Sequence, residues 1–129
     1  MGKIYLIRHG ETDANQTFQF QGHIDNPLNS KGFKQTADLG KYYEELELDE
    51  IYSSSMQRAR QTAEPLAKFH GLKIQPLDEL KEVCFGEWEG LSYEEVKAKW
   101  NDQLELFFKH PAQCRMPGGE SFDDVAARV

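Results

Sequence analysis

Three polar clusters in the sequence carry residue types that packing does not explain. The first is Arg8-His9-Gly10-Glu11-Thr12, directly after the apolar run Ile4-Tyr5-Leu6-Ile7. That run reads as a short strand buried on both faces. Ligands of open α/β sheets bind beyond the carboxyl ends of strands, so the run delivers a cation and a titratable nucleophile to the usual site position. Gly10 lets the backbone turn sharply and approach a ligand. Taken alone, the cluster reads equally well as an Arg8–Glu11 surface ion pair beside a loop histidine.

The second cluster is Ser53-Ser54-Ser55-Met56-Gln57-Arg58-Ala59-Arg60-Gln61-Thr62. It places Arg58 in or near the first turn of a helix that follows a strand. The macrodipole is positive there, so a cation weakens the helix unless an anion is bound. Free N–H groups, serine hydroxyls and a guanidinium fork together suit a phosphate. Arg58 and Arg60 point to different faces, and a solvated surface position suits Arg60.

The third cluster, Leu80 to Gly90, alternates acidic and apolar residues in a glycine-rich loop. A carboxyl held there against Val83, Phe85 or Trp88 would be desolvated and raised in pKa, as a general acid needs. A solvated acidic loop with two anchoring aromatics is the plainer reading of that segment alone. Together the clusters supply one nucleophile candidate, two guanidiniums and one acid. The four histidines, His9, His23, His70 and His110, have no metal-ligand spacing, and neither a GxxxxGK[ST] nor a GxGxxG motif is present. Phosphate chemistry with no metal and no cofactor is the lead.

The elements that must position these groups follow from periodicity. After the first strand, residues 8–30 read as a long polar loop. The spacing predicts a helix over about 31–47, with Phe33, Ala37, Tyr42 or Tyr43 and Leu46 as its apolar face. A strand at 49–53, a helix from about Ser55 to His70 stopped by Gly71, and a strand at 72–77 follow, with Pro76 marking an edge. Ser92-Tyr93-Glu94-Glu95 is a capping box that opens a helix to about Lys109, before Pro111. Pro117-Gly118-Gly119 is a turn before a last helix through Phe122, Val125, Ala126 and Val129. Alternating strands and helices imply an α/β fold: a three-layer sandwich with a mostly parallel sheet flanked by helices.

Composition narrows the function. The 129 residues carry a net charge of −7 and no basic stripe, which argues against nucleic acid as the main partner. No apolar run approaches a membrane span. The two cysteines, Cys84 and Cys114, form no disulfide framework and no CxxC pair, so a reducing, cytoplasmic setting is expected. Oligomeric state is not encoded in any pattern here.

At these residues the chain resembles the histidine phosphatase superfamily, also called phosphoglycerate mutase-like. Arg8 to Thr12 matches the first signature of the family. Asn15, Gln21-Gly22, Asp25-Asn26-Pro27-Leu28 and Gly32 match the loop that follows it. Ser53-Ser54 through Arg58-Ala59 and Gln61-Thr62-Ala63 match the second signature. Glu82, Phe85-Gly86 and Trp88-Glu89-Gly90 match the third, and Pro117 to Ser121 a fourth that is common in the phosphatase branch. The resemblance implies a nucleophilic His9 that becomes a phosphohistidine, with Arg8 and Arg58 on the phosphoryl oxygens and Glu82 as acid and then base. Asn15, Gln21 and Gly22 would add phosphate contacts. His23 would lie at the rim or simply in the loop, while His70 and His110 would be structural. The implied partner is a small phosphomonoester such as alpha-ribazole phosphate or a sugar phosphate, between which no residue selects. A phosphoglycerate mutase and a non-catalytic phospho-ligand-binding module remain as alternatives.

One family feature is missing. Members carry a second histidine, usually in a His-Gly pair after a later strand that is central to the sheet. No histidine here fits that position, and the helix at Phe122–Val129 lacks a stop signal. The expectation is that residues 1–129 form the N-terminal portion of a histidine phosphatase domain that continues beyond Val129.

Overall fold

A computed structural model describes residues 2–129. Its elements are α1 (Asp13–Gln16), α2 (Ser30–Tyr42), β1 (Ile51–Ser54), α3 (Gln57–His70), β2 (Ile74–Leu77), α4 (Tyr93–Lys109) and α5 (Phe122–Arg128). Single 3₁₀ turns lie at Asp78–Leu80, Gly86–Trp88 and Pro111–Gln113. β1 and β2 pair in parallel, Ile51 opposite Ile74 and Ser53 opposite Pro76, with α3 as the crossover. This is the expected α/β fold with a parallel sheet and packed helices; among the described residues the sheet has two strands.

The apolar run before the first cluster departs from expectation. Ile4-Tyr5-Leu6-Ile7 joins no ladder, and Ile4 and Leu6 are 88% and 94% exposed. With no strand paired on either flank among the described residues, Ile4 and Leu6 stay uncovered, while Tyr5 and Ile7 are partly covered. The polar loop after it contains the short helix α1, which begins at Thr12. The Thr12 side chain accepts from Asn15 N–H, and Asn15 reaches back to the Thr12 backbone.

Helix α2 forms but buries only part of the face expected. Phe33 and Tyr42 are exposed, Tyr43 packs on the core of Ile51, Leu66 and Ala67, and the buried residues are Gly32, Thr36 and Gly40, one turn apart. The reason is close approach to α3: a Cβ at Gly40 would lie 2.6 Å from Pro65 Cβ. Gly40 lets the two helices touch, while Gly32 makes room for the Glu11 backbone, whose carbonyl a Cβ there would meet. The helix also ends at Tyr42 instead of about residue 47.

The other caps act as expected. Gly71 ends α3 in the left-handed region at φ 63°, with Lys68 and His70 in the last turn. Capping boxes at Ser92–Glu95 and Ser121–Asp124 start α4 and α5. α4 is kinked at Trp100, whose φ is −134°.

Two apolar cores result. One joins Ile51, Leu66 and Ala67 beneath the sheet. The other gathers Val83, Trp88, Val96, Leu104, Cys114 and Met116 between the acidic loop and α4. Trp88 is fully buried and stacks on Phe85, with its centroid 5.4 Å from Phe20. Its indole N–H has no hydrogen-bond partner among the described residues. Trp88→Ala should therefore cost about 3–5 kcal/mol. Trp88→Phe should cost much less, because it removes the orphaned donor along with part of the ring. Urea unfolding of the two variants checks both expectations; equal losses would mean that the indole N–H matters more than its geometry suggests.

Candidate active site

Gly10 anchors the first cluster between helices. Its N–H donates to Thr62 Oγ1 at 3.0 Å, and a Cβ there would lie 2.9 Å from the Gly32 carbonyl. The backbone carrying His9 is thus pressed against α2 and tied to α3. His9 is half-buried, and its Nδ1 lies 2.7 Å from the Gly10 carbonyl. A carbonyl only accepts, so Nδ1 carries the proton and Nε2 keeps its lone pair. Burial holds the His9 pKa below 6.5, with Arg58 and Arg8 adding to the depression; the Gly10 hydrogen bond and Glu82 oppose it. The lowered pKa favours the neutral imidazole, the form in which Nε2 has a free lone pair.

Arg8 does not pair with Glu11. The Glu11 carboxylate instead accepts from Lys31 Nζ and Asn29 Nδ2, which holds its pKa below the usual carboxylate value. Arg8 is exposed and forms no ion pair among the described residues. The surface-pair reading of this cluster is therefore overturned.

Arg58 is 3% exposed at the start of α3. Its Nη1 donates to Ile24 O and its Nη2 to Gly22 O, both at 2.8 Å. Two of its five N–H donors are thus spent on backbone, and the fork is aimed by them. Burial lowers its pKa below the usual arginine range, while Glu82, Asp25 and Glu89 oppose the shift. Arg60 is exposed, as the two-residue offset implied.

Two of the three serine hydroxyls expected to cradle a phosphate spend their protons elsewhere. The Ser53 hydroxyl donates to Ser54 O and Ser55 to Asp78, whereas Ser54 Oγ only accepts, from Met56 N–H. The anion at the N-terminus of α3 is Asp25, whose Oδ1 accepts from Gln57 N–H at 2.7 Å. A carboxylate from the upstream loop therefore compensates the macrodipole beside Arg58.

Glu82 is exposed rather than held against Val83, Phe85 or Trp88, and its Oε1 accepts from Val83 N–H at 2.8 Å. The loop around it is stapled from two sides. Glu89 Oε1 accepts from Phe85 N–H and from His23 N–H. The fourth motif holds the other side: Glu87 N–H donates to Pro117 O at 2.8 Å, and Glu120 N–H to Cys84 O at 2.9 Å. Gly86 sits at φ 57° against this turn, where a Cβ would meet Pro117 O and Gly119 N.

Arg8, His9, Arg58 and Glu82 line one cleft of about 1170 Å³. Asn15 lines an adjoining cleft of about 760 Å³ that shares Arg8 and His9. Its Oδ1 is occupied by Thr12, which leaves its NH₂ for a ligand. Gln21 and Gly22 are buried behind the site. Gln21 Oε1 accepts from Thr12 Oγ1 at 2.8 Å, and Gly22 O receives Arg58. Both hold the residues that face the clefts. Among the described residues no group of His, Cys, Asp or Glu is arranged to hold a metal ion.

The family model for the histidine phosphatase superfamily, branch 1, matches residues 4–129. The chain belongs to that family. It is 33% identical over 129 residues to phosphoserine phosphatase 1 of Hydrogenobacter thermophilus, covering all of this chain and 61% of that protein. It is 35% identical over 132 residues to a probable phosphoglycerate mutase GpmB of Salmonella choleraesuis, covering 60% of it. The solved structure of Bacillus stearothermophilus YhfR is similar with a TM-score of 0.88 at 36% identity, over 94% of this chain and 60% of that one. The chain thus spans less than two thirds of the length of these relatives.

Sequence reasoning missed Asp25 as a cap and Glu120 and Arg128 as partners of the acidic loop. It matched Asp25 and Glu120 only as motif letters. A spacing signal does not show which distant backbone a carboxylate will reach.

Proposed function

We propose that the protein is a metal-independent phosphomonoesterase that acts on small phosphorylated metabolites through a phosphohistidine at His9. The observation that carries this reading is the His9 ring, its Nδ1 held by the Gly10 carbonyl, in one cleft with Arg8, Arg58 and Glu82. His9 Nε2 attacks phosphorus while the ester P–O bond breaks, and Glu82 gives its proton to the departing alkoxide. Glu82, now a carboxylate, takes a proton from water as the water oxygen attacks the phosphohistidine, and His9 leaves as neutral imidazole with inorganic phosphate. Arg8 and Arg58 balance the charge on the phosphoryl oxygens in both steps. Asn15 adds a donor from the adjoining cleft, and Gln21 and Gly22 support these groups.

The exposed carboxyl of Glu82 favours hydrolysis, which needs water beside the acid. The phosphatase names among the relatives support the same choice. The free thiols of Cys84 and Cys114 fit a cytoplasmic setting. Among the described residues no helix is long and apolar enough to cross a membrane. We place residues 1–129 in one histidine phosphatase domain. The test is hydrolysis of p-nitrophenyl phosphate by the intact protein in EDTA, with acid-labile phosphate retained on His9 after rapid quenching. Turnover that needs a bisphosphoglycerate primer would make it a mutase, and phosphate binding without turnover would make it a binding module.

A further inference from the structure

The helix that ends the described chain reaches the loop that carries Glu82. Arg128 donates from Nη2 to the main-chain oxygen of Glu82 at 3.0 Å and from Nη1 to that of Glu79. Its fork is held by Glu120, Nε to Oε1 at 2.9 Å and Nη2 to Oε2 at 3.0 Å. Glu120 Oε2 also accepts from Cys84 N–H at 2.8 Å, and the Glu120 N–H donates to Cys84 O at 2.9 Å. From the loop between α1 and α2, His23 Nε2 donates to the same Glu82 oxygen at 2.9 Å and lies 3.9 Å from Glu120 Oε2. The Glu82 peptide and its neighbours on both sides are therefore gripped by one ion pair.

The Glu82 side chain has no such grip. It is exposed and bonds to the N–H of its own neighbour. What sets its direction is the main chain beneath it. A bidentate Arg–carboxylate pair fixes geometry better than a single contact, and this one is half-buried, with side-chain exposures of 21% and 22%. The Glu120 hydrogen bond strengthens the charge on Arg128, and Glu82 adds to it. An acid displaced by about 1 Å loses on the order of 10²-fold in rate.

We propose that Glu120 and Arg128 are a positioning pair that holds the Glu82 carboxyl in line with the ester oxygen leaving His9-bound phosphorus. The proposal rests on the reading of Glu82 as the general acid. An ion pair that only fastened α5 to the loop would affect all substrates alike, whereas a positioning pair matters most where the leaving group needs a proton. The experiment measures first-turnover alcohol release from an alkyl phosphate and from p-nitrophenyl phosphate, whose leaving group needs little protonation, in the intact protein. Arg128→Gln should slow the alkyl ester about tenfold and the aryl ester by less than about twofold, with KM unchanged. Glu82→Gln, run beside it, should show the same selectivity more strongly. Equal losses on both esters, or none, in Arg128→Gln while Glu82→Gln is selective would overturn the positioning pair. No selectivity in Glu82→Gln would instead overturn the acid assignment itself. If Arg128→Gln does not fold, Glu120→Gln carries the same test, since it removes the charge but keeps an oxygen for Cys84 N–H.

Discussion

His9→Ala should lower phosphomonoester turnover by roughly 10⁴-fold or more and abolish the phosphoenzyme, because the proposed two-step route then has no covalent carrier. Steady-state hydrolysis and the intact mass after a substrate pulse measure both. Turnover within tenfold of the parent would remove His9 from the chemistry. The same residue sets an acid limit. Burial and the two guanidiniums hold its folded-state pKa below 6.5, so the nucleophile stays unprotonated to a lower pH than a free histidine would. The acid limb of kcat/KM should therefore lie below pH 6.5. Stability moves with it. Below 6.5 the unfolded chain takes up the proton first, so the native state loses stability as pH falls from 6.5 toward the folded value. His9→Ala removes that loss. Its stability should fall less steeply than the parent's over this window, which denaturant melts at several pH values resolve.

The first cluster was legible because its chemistry lies in adjacent residues. Arg8, His9 and Gly10 need only a backbone that turns, and Gly10 against Gly32 provides it. Arg58 was legible as a misplaced cation, though the anion that answers it was not. Asp25 reaches the start of α3 from another segment, and its distance in sequence is set by the loop between, not by a helical period. The buried face of α2 is not legible from hydrophobicity alone. The buried stripe is the small one: Gly40 meets α3, and Gly32 and Thr36 lie against the Gly10–Glu11 backbone. The first apolar run was misread for a related reason: Ile4 to Ile7 has the composition of an interior strand, but burial belongs to the partners that pair with it. Glu82 could be named but not placed. Its surroundings depend on a turn at Pro117–Gly119 and an ion pair at Glu120–Arg128, contacts that no local pattern records.

Arg58→Ala should combine two losses that a shorter truncation elsewhere would keep apart. The first is kinetic. An arginine that balances phosphoryl charge contributes about 10³–10⁵-fold in rate where it has been measured in other phosphoryl transfers. kcat/KM here should fall on the order of 10³-fold, and inhibition by inorganic phosphate should weaken with it. The second is structural. The guanidinium is 3% exposed and satisfies the Gly22 and Ile24 carbonyls, so truncation strands two acceptors at about 1–3 kcal/mol each where they stay dry. Asp25 and Glu89 would also lose the cation that faces them. Arg58→Lys separates the two effects. Its ammonium keeps the charge near His9 but cannot reach both carbonyls with a planar fork. It should recover phosphate inhibition more fully than melting temperature. If Arg58→Ala melts early yet keeps the parent's kcat/KM in its folded fraction, the residue is a strut for the Gly22–Ile24 loop and not a phosphate ligand.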